Sequence, residues 1–178
     1  MCIRDRVNTA QAEKMIALVL EGLEVNKHSV VADLYCGAGT FTLPLAKRCD
    51  FLYAVESAAS SVRDLRRNIE ATNLTNVEVI GGDSARELPS LGELDALVVD
   101  PPRAGLAKGV TQSIASTGAK RVAYVSCDPA TWARDIARFK TAGYTLTQAT
   151  PVDLFPQTYH VETVSILQLS LIHISEPT

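Results

Sequence analysis

Cys127 ends an apolar segment of the sequence and directly precedes a predicted helix. In the stretch VAYVSCDPAT, a short β-rich run is followed by Asp128 and Pro129, which are typical of an N-cap and a first helical residue. The thiol should therefore lie at a strand end, just outside a helix N-terminus. Because the positive end of a helix stabilises a thiolate, we expect a lowered pKa for Cys127 and a nucleophilic role.

Two carboxylates occupy comparable positions. Asp100 begins the sequence DPPR at the end of another apolar run, and the two prolines stiffen the loop that carries it. A strand-terminating turn without function is an equal alternative for this motif. Glu162, in the sequence YHVET, lies at the start of the last predicted strand and could also be a plain surface acid.

Strands alternate with helices along the whole chain, which predicts an α/β fold with a doubly wound, mostly parallel sheet. The last two strands are joined by only about ten residues, which include Pro156 and show no helical pattern. This connection is short for a parallel crossover, so the seventh strand should be antiparallel. The seven strands are predicted at 29–35, 51–56, 76–82, 93–100, 121–127, 144–154 and 161–169, and the helices at 8–24, 40–48, 58–72, 109–117 and 129–141.

A glycine-containing turn follows the first predicted strand, where open α/β sheets bind ligands. Gly37 and Gly39 permit close approach of a ligand to the backbone. Glu56 ends the second strand and could bind both hydroxyls of a ribose, and Asp83 follows the third strand and could bind an adenine edge. A tight turn with two surface acids is the alternative, but the combination favours a cofactor that contains adenosine.

The choice between NAD and S-adenosyl-L-methionine depends on the third position of the glycine motif. A dinucleotide fingerprint requires glycine there, and this chain has Thr42. The antiparallel seventh strand and Asp33 before the glycines resemble the S-adenosylmethionine-dependent methyltransferase fold, so we predict that cofactor.

A thiol, a carboxylate and a methyl donor together suggest one reaction. Carbon 5 of uracil is a poor nucleophile, but addition of a thiolate to carbon 6 produces an enolate that can attack a sulfonium methyl group. A base such as Glu162 must then remove the carbon-5 proton so that the thiol of Cys127 can leave.

Four segments, DLYCGAGTFTLPLA, VVDPPRAG, VSCDPATWARD and LFPQTYHVET, resemble in order and spacing the RNA 5-methyluridine (uracil-5-) methyltransferases, which modify rRNA and tRNA. The resemblance covers about 7–169. It implies that Cys127 is the nucleophile and Glu162 the proton-abstracting base, with Asp100 near the reacting uracil. It also implies cofactor contacts by Tyr35, Thr40, Glu56, Asp83 and Asp100.

The chain departs from this family pattern in three respects. Thr40 replaces an asparagine, and Arg6 replaces a glutamine that contacts the cofactor. Members also usually carry N-terminal RNA-binding and central domains, some with an iron–sulfur cluster, so residues 7–169 resemble the isolated catalytic domain. The ends, 1–6 and 170–178, resemble translated cloning sequence and are expected to be non-native.

Composition limits the partners that we expect. A formal net charge of -3 over 178 residues indicates that phosphate neutralisation by this chain alone does not supply the grip on RNA. Its four cysteines form no Cys-x-x-Cys pair and no zinc motif, and the sequence shows no membrane segment. We therefore predict a cytoplasmic protein with free thiols, an RNA substrate and no metal; the sequence does not indicate an oligomeric state.

Three alternative functions remain open at this stage. Asp-Pro-Pro is also typical of methyltransferases that act on exocyclic amines, but these require an aromatic fourth residue where this chain has Arg103. A non-catalytic fragment that only binds S-adenosylmethionine belongs to a different class. An NAD-linked dehydrogenase is the third and most distant possibility.

Overall fold

The computed structural model describes residues 8–155 and 160–170, which form one seven-stranded sheet with helices on both faces. The strands are β1 (Val30–Leu34), β2 (Phe51–Glu56), β3 (Val77–Gly81), β4 (Ala96–Val99), β5 (Arg121–Ser126), β6 (Tyr144–Val152) and β7 (Glu162–Leu169). The helices are α1 (Thr9–Leu23), α2 (Thr42–Ala46), α3 (Ala59–Ala71), α4 (Ser84–Glu87), α5 (Val110–Ser116) and α6 (Pro129–Thr141), with a 3-10 helix at Leu88–Ser90.

The strand order is β3-β2-β1-β4-β5-β7-β6, and the predicted fold class is confirmed. Strands β1 to β5 are mutually parallel, whereas β7 runs antiparallel to both of its neighbours, β5 and β6. The order reverses between β1 and β4, and this switch point is where such sheets bind ligands.

Apolar side chains fill one layer on each face of the sheet. Met15 of α1, Leu45 of α2 and Leu65 of α3 pack on one face. The α5 residue Ile114 and the α6 residue Phe139 pack on the other. The central strand β4 is buried along its whole length, as the almost wholly apolar sequence predicts.

The ends of α1 and α6 follow the expected capping chemistry. The Asn8 side chain accepts a hydrogen bond from the Gln11 N–H at 3.2 Å and so caps α1. Helix α6 begins at Pro129 after the predicted N-cap, and Gly143 follows its C-cap with φ of 105°. Within the part of the chain that the structure describes, no helix has the length and apolarity needed to cross a membrane.

The region between β3 and β4 differs from the sequence-based prediction. The Asp83 side chain accepts from the Arg86 N–H at 2.9 Å and initiates α4, which was not predicted. Strand β4 is also shorter than predicted and spans Ala96–Val99. Asp95, just before it, donates its N–H to the Val30 carbonyl at 2.8 Å, and its carboxylate accepts the Val30 N–H at 2.8 Å.

The predicted non-native ends, 1–6 with Arg6 and 170–178, lie outside the described residues except for one residue. Residues 156–159 also lie outside them. The exception is Ser170, whose N–H donates to the Gly143 carbonyl at 2.8 Å. The extent of the catalytic domain, 7–169, therefore stays a prediction.

Asp33 is a carboxyl group inside the central strand β1. Its side chain is fully buried, Oδ2 accepts the Thr42 hydroxyl at 2.7 Å, and Oδ1 has no hydrogen-bond partner among the residues that the structure describes. Burial, which outweighs the Thr42 hydrogen bond, raises the pKa of Asp33 to about 8, with smaller contributions from Asp100 and Glu56. Asp33 is therefore largely neutral at pH 7.

Asp33 should make the fold less stable as the pH rises. The unfolded chain releases this proton near pH 4, whereas the folded chain holds it until about pH 8, so the stabilisation is complete below pH 4 and is lost by pH 8. Relative to Asp33→Asn, the wild type should lose at least about 1–2 kcal/mol between pH 5 and 8 in urea unfolding. Asp153→Asn, at an exposed site, should leave the pH slope unchanged. Parallel slopes for wild type and Asp33→Asn would contradict a neutral buried carboxyl.

Candidate active site

The sequence-predicted site residues gather at one edge of the sheet. The carboxyl ends of the parallel strands β1 to β5 meet there, and the antiparallel strand β7 begins at the same edge. Across this edge, in strand order, lie Asp83, Glu56, Tyr35, Asp100, Cys127 and Glu162. The first three therefore lie on one side of the switch point, and the last three on the other.

The turn after β1 combines a tight backbone with open space. Gly37 has φ of +57°, and a Cβ placed on it would have no atom within 4 Å, so this side of the turn is free for a ligand. Gly39 has φ of +103°, and a Cβ there would lie 2.7 Å from Leu65 of α3. The first glycine thus leaves room at the edge, while the second permits the turn to pack on α3. Thr40 is half-buried in the same turn.

Glu56 is held in a defined orientation at the end of β2. Its Oε2 accepts the Gly37 N–H at 2.9 Å, and its Oε1 accepts the Ala58 N–H at 2.9 Å. Each carboxylate oxygen has a second lone pair, so the half-buried group can also accept two ribose hydroxyls.

A residue that the sequence analysis missed links β1 to α4. The Tyr35 N–H donates to the Ser84 hydroxyl at 3.0 Å, which places Ser84 beneath the glycine turn. Tyr35 itself has φ of 57° and is half-buried, and burial raises its pKa. The sequence signal for a helix that begins at Ser84 is Asp83, a residue type typical of an N-cap. The sequence analysis assigns Asp83 only to adenine binding. Asp83 is exposed, and capping engages its Oδ1.

Strand pairing brings Cys127 next to Glu162. The last pair of the β5–β7 ladder is Ser126 with Thr163, so the next residue on each strand is Cys127 and Glu162, respectively. Glu162 is 5% exposed and Cys127 is half-buried. Asp128 accepts the N–H groups of Ala130 and Thr131 at 2.9 and 3.0 Å, which confirms the predicted N-cap.

The predicted lowering of the thiol pKa is wrong. Burial, followed by the negative charges of Glu162 and Asp100, raises the pKa of Cys127 and outweighs its backbone hydrogen bond and Arg103. The helix N-terminus is present, but two carboxylates from other strands face the same thiol. Cys127 is therefore mainly protonated at neutral pH in the free protein.

Cys127 is nevertheless the most accessible thiol among the described residues. Cys36 and Cys49 are buried. Burial raises the pKa of Cys49 to about 11 and also raises that of Cys36. Within the described parts of the chain, no group of three or more His, Cys, Asp or Glu side chains could hold a metal ion.

Asp100 sits on a loop that is packed on one side and exposed on the other. Its N–H donates to the Leu34 carbonyl at 3.4 Å, and the following Pro101 is buried. Arg103 is exposed, and its Nε lies 3.7 Å from Asp128 Oδ2. A cationic side chain therefore lies at the outer rim of the edge, where an amine methyltransferase would place an aromatic ring.

Comparisons with solved structures support the fold. A tRNA (uracil-54, C5)-methyltransferase from Pyrococcus abyssi, solved in complex with S-adenosyl-L-homocysteine, superposes with a TM-score of 0.77 at 33% identity, over 91% of this chain and 39% of that one. A precorrin-6y C5,15-methyltransferase from Geobacter metallireducens reaches a TM-score of 0.78 at 12% identity, over 94% of this chain and 93% of that one, and shows the shared fold alone.

Sequence relatives point to RNA methyltransferases. An uncharacterized RNA methyltransferase of Caldanaerobacter subterraneus is 38% identical over 92% of this chain and 37% of its own length, and one of Gloeobacter violaceus is 41% identical over 93% and 36%. The chain thus spans little more than a third of these relatives. The profile of tRNA (uracil-5-)-methyltransferases matches residues 5–91 and 88–170, and the chain belongs to this family.

Proposed function

We propose that this chain transfers a methyl group from S-adenosyl-L-methionine to carbon 5 of a uridine in rRNA or tRNA, through a covalent cysteine–uracil intermediate. The observation that carries the proposal is the pairing of β5 with β7, which sets Cys127 beside Glu162 at the cofactor edge. Family membership supports the same reaction class.

The residues at the β1–β3 side of the edge fit the cofactor. The open space at Gly37 can admit the part of the cofactor that approaches the backbone of the turn. The oriented carboxylate of Glu56 can accept the hydroxyls of the cofactor's ribose. Exposed Asp83 can accept the adenine amine. When bound, S-adenosylmethionine supplies a sulfonium whose methyl group is electrophilic. Its positive charge also suits an edge that carries several carboxylates.

Cys127 begins the reaction. Its sulfur forms a bond to carbon 6 of the uracil, and the electrons of the carbon 5–carbon 6 double bond move toward the carbon-4 carbonyl as an enolate. Carbon 5 then takes the methyl group while the methyl–sulfur bond breaks. The thiol must first release its proton to water, which the raised pKa of Cys127 makes costly in the free protein.

Glu162 completes the reaction. After methyl transfer, carbon 5 carries both a methyl group and a proton, and the carboxylate takes that proton. The carbon–hydrogen electrons restore the double bond, and the carbon 6–sulfur bond breaks to release Cys127. The buried environment of Glu162 shields this proton transfer from water.

We infer that the rest of a longer protein supplies much of the RNA grip, because this chain carries a net charge of -3 and spans about a third of its relatives. The target uridine would be flipped out of its stack to reach Cys127. We expect the methyl transfer to take place in the cytoplasm, with RNA as the substrate and without a metal ion.

RNA that contains 5-fluorouridine should trap the intermediate. Fluorine at carbon 5 cannot leave as a proton, so wild-type protein with S-adenosylmethionine should gain the mass of a methylated RNA adduct. Cys127→Ala should form none, while Cys49→Ala, at a buried thiol away from the edge, should form it normally. Intact-mass analysis with a tRNA transcript and with an rRNA fragment separates the two substrate classes.

Methyl transfer to RNA by Cys127→Ala would contradict the covalent mechanism and favour an amine methyltransferase. Cofactor binding without an adduct, on RNA or on concentrated 5-fluorouridine monophosphate, would favour a fragment that only binds S-adenosylmethionine.

Glu162→Gln should stop the reaction after methyl transfer. An amide cannot take the carbon-5 proton, so turnover on natural RNA should fall by about 100-fold or more. A methylated covalent adduct should accumulate and be visible by denaturing electrophoresis of labelled RNA. Glu93→Gln, at an exposed site, is the matched control. Loss of turnover without any accumulated adduct would place Glu162 outside the proton-abstraction step.

The alkylation rate of Cys127 should still be rising above neutral pH. The pKa of the thiol is raised, so the reactive thiolate is a minor species at pH 7 and grows about tenfold per pH unit below that pKa. The measurement is iodoacetamide labelling between pH 6.5 and 9.5, with peptide mapping by mass spectrometry. A plateau below pH 8 would instead indicate that the helix N-terminus dominates.

A further inference from the structure

A buried carboxylate in α6 lies outside the proposed chemistry. Asp135 is 0% exposed, and its Oδ2 accepts the Tyr124 hydroxyl at 2.7 Å and the Leu106 N–H at 2.9 Å. Its Oδ1 lies 3.1 Å from Arg134 Nη2 and 3.4 Å from Arg138 Nη1. Both oxygens of this carboxylate are therefore engaged in hydrogen bonds or ion pairs, as a buried charge requires.

The two arginines continue from Asp135 to the loop after β4. Arg134 Nη2 donates to the Ala104 carbonyl at 2.8 Å, and Arg138 Nη1 donates to the Leu106 carbonyl at 3.1 Å. We call Asp135, Arg134 and Arg138, with the loop groups that they bind, the clasp. The clasp fixes residues 104–106 of the loop against the middle of α6.

The same loop also touches the start of α6. The Thr131 hydroxyl donates to the Arg103 carbonyl at 3.2 Å, and the Arg103 side chain lies 3.7 Å from the Asp128 carboxylate. Asp128 directly follows Cys127, and the loop begins at Asp100. The loop is therefore attached to α6 at Arg103 and again at residues 104–106, shortly after Asp100.

Gly105 shows how closely the loop approaches. Its φ is +76°, and a Cβ there would lie 2.5 Å from Arg134 Nη2 and 2.5 Å from Asp135 Oδ2. The Arg134 side chain can move, but Asp135 is buried and held by Tyr124 and Leu106. A side chain at position 105 would consequently push the loop away from α6.

We propose that Asp135 is a positioning residue, which acts through the clasp to hold the Asp100 loop in register with Cys127. The inference rests on the proposed function for the reaction, but the geometry that it predicts can be measured on the thiol alone. Loss of one partner from a buried charge cluster leaves the others uncompensated, so the loop should detach locally. Detachment would expose Cys127 and move Asp100 away.

The first experiment measures alkylation of individual thiols at pH 7.5. Burial is the main cause of the raised pKa of Cys127 and Asp100 contributes, so a detached loop should lower that pKa. Asp135→Asn and Gly105→Ala should label Cys127 at least about threefold faster than wild type, whereas buried Cys36 and Cys49 stay protected.

Gly118→Ala is the matched control for Gly105→Ala. Gly118 has φ of +75°, but a Cβ on it would have nothing within 4 Å, so this variant carries the backbone strain without the collision. Equal Cys127 labelling in Gly105→Ala and Gly118→Ala would overturn the proposal. Parallel labelling of Cys36 and Cys49 would also overturn it, because the clasp would then stabilise the whole fold instead of the loop.

A second, milder variant separates positioning from folding. Arg134→Gln removes the contact with Ala104 from a side chain that is 40% exposed, and Arg66→Gln on the exposed side of α3 is its control. We expect unchanged S-adenosylhomocysteine affinity in calorimetry, and at least about tenfold slower adduct formation with 5-fluorouridine RNA.

The outcomes distinguish the two proposals. If wild type forms no adduct, the proposed function fails, and the alkylation experiment still decides the role of the clasp. If wild type forms the adduct and Arg134→Gln forms it equally fast, the positioning role fails while the proposed function stands. A parallel loss of cofactor affinity would also overturn the positioning role.

Discussion

The antiparallel pairing of β7 with β5 is the constraint on which the site depends. Five parallel strands end at one edge of the sheet, and a residue at the start of a later strand reaches that edge only if this strand runs in the opposite direction. Because β7 runs opposite to β5, its first residue, Glu162, lies at this edge, next to Cys127 and directly beyond the Ser126–Thr163 pair. A parallel β7 would place Glu162 at the far edge of the sheet.

Several carboxylates make this edge of the sheet electrostatically negative. Glu162 and Asp100 raise the pKa of Cys127, and Asp100 and Glu56 add to the burial that keeps Asp33 largely neutral at pH 7. These carboxylates disfavour further negative charge at the edge and favour a cationic ligand. A cofactor with a sulfonium group would be such a ligand. Binding of that cation would relieve the same repulsion that opposes ionisation of the thiol. Cofactor and nucleophile would thus be coupled through charge.

The two halves of the site are supported differently. On the β1–β3 side of the switch point, the backbone N–H groups of Gly37 and Ala58 orient Glu56. On the other side of the switch point, Asp100 begins the loop after β4 and Cys127 lies between β5 and α6, so the pairing of β4 with β5 brings the two residues to the same edge but does not hold the rest of the loop. The buried ionic cluster around Asp135 joins the two segments. Such clusters require complete pairing, which suits a contact that must keep one geometry.

The sequence alone determined the order and type of the main elements, the antiparallel last strand and the positions of Cys127, Glu162 and Glu56 at strand ends. These follow from local periodicity, capping and connection length. Tertiary structure decided the sign of the Cys127 pKa shift, the neutral state of Asp33 and the role of Asp135. Each of these depends on desolvation and on charges that come from strands and loops distant in sequence, which no local pattern records.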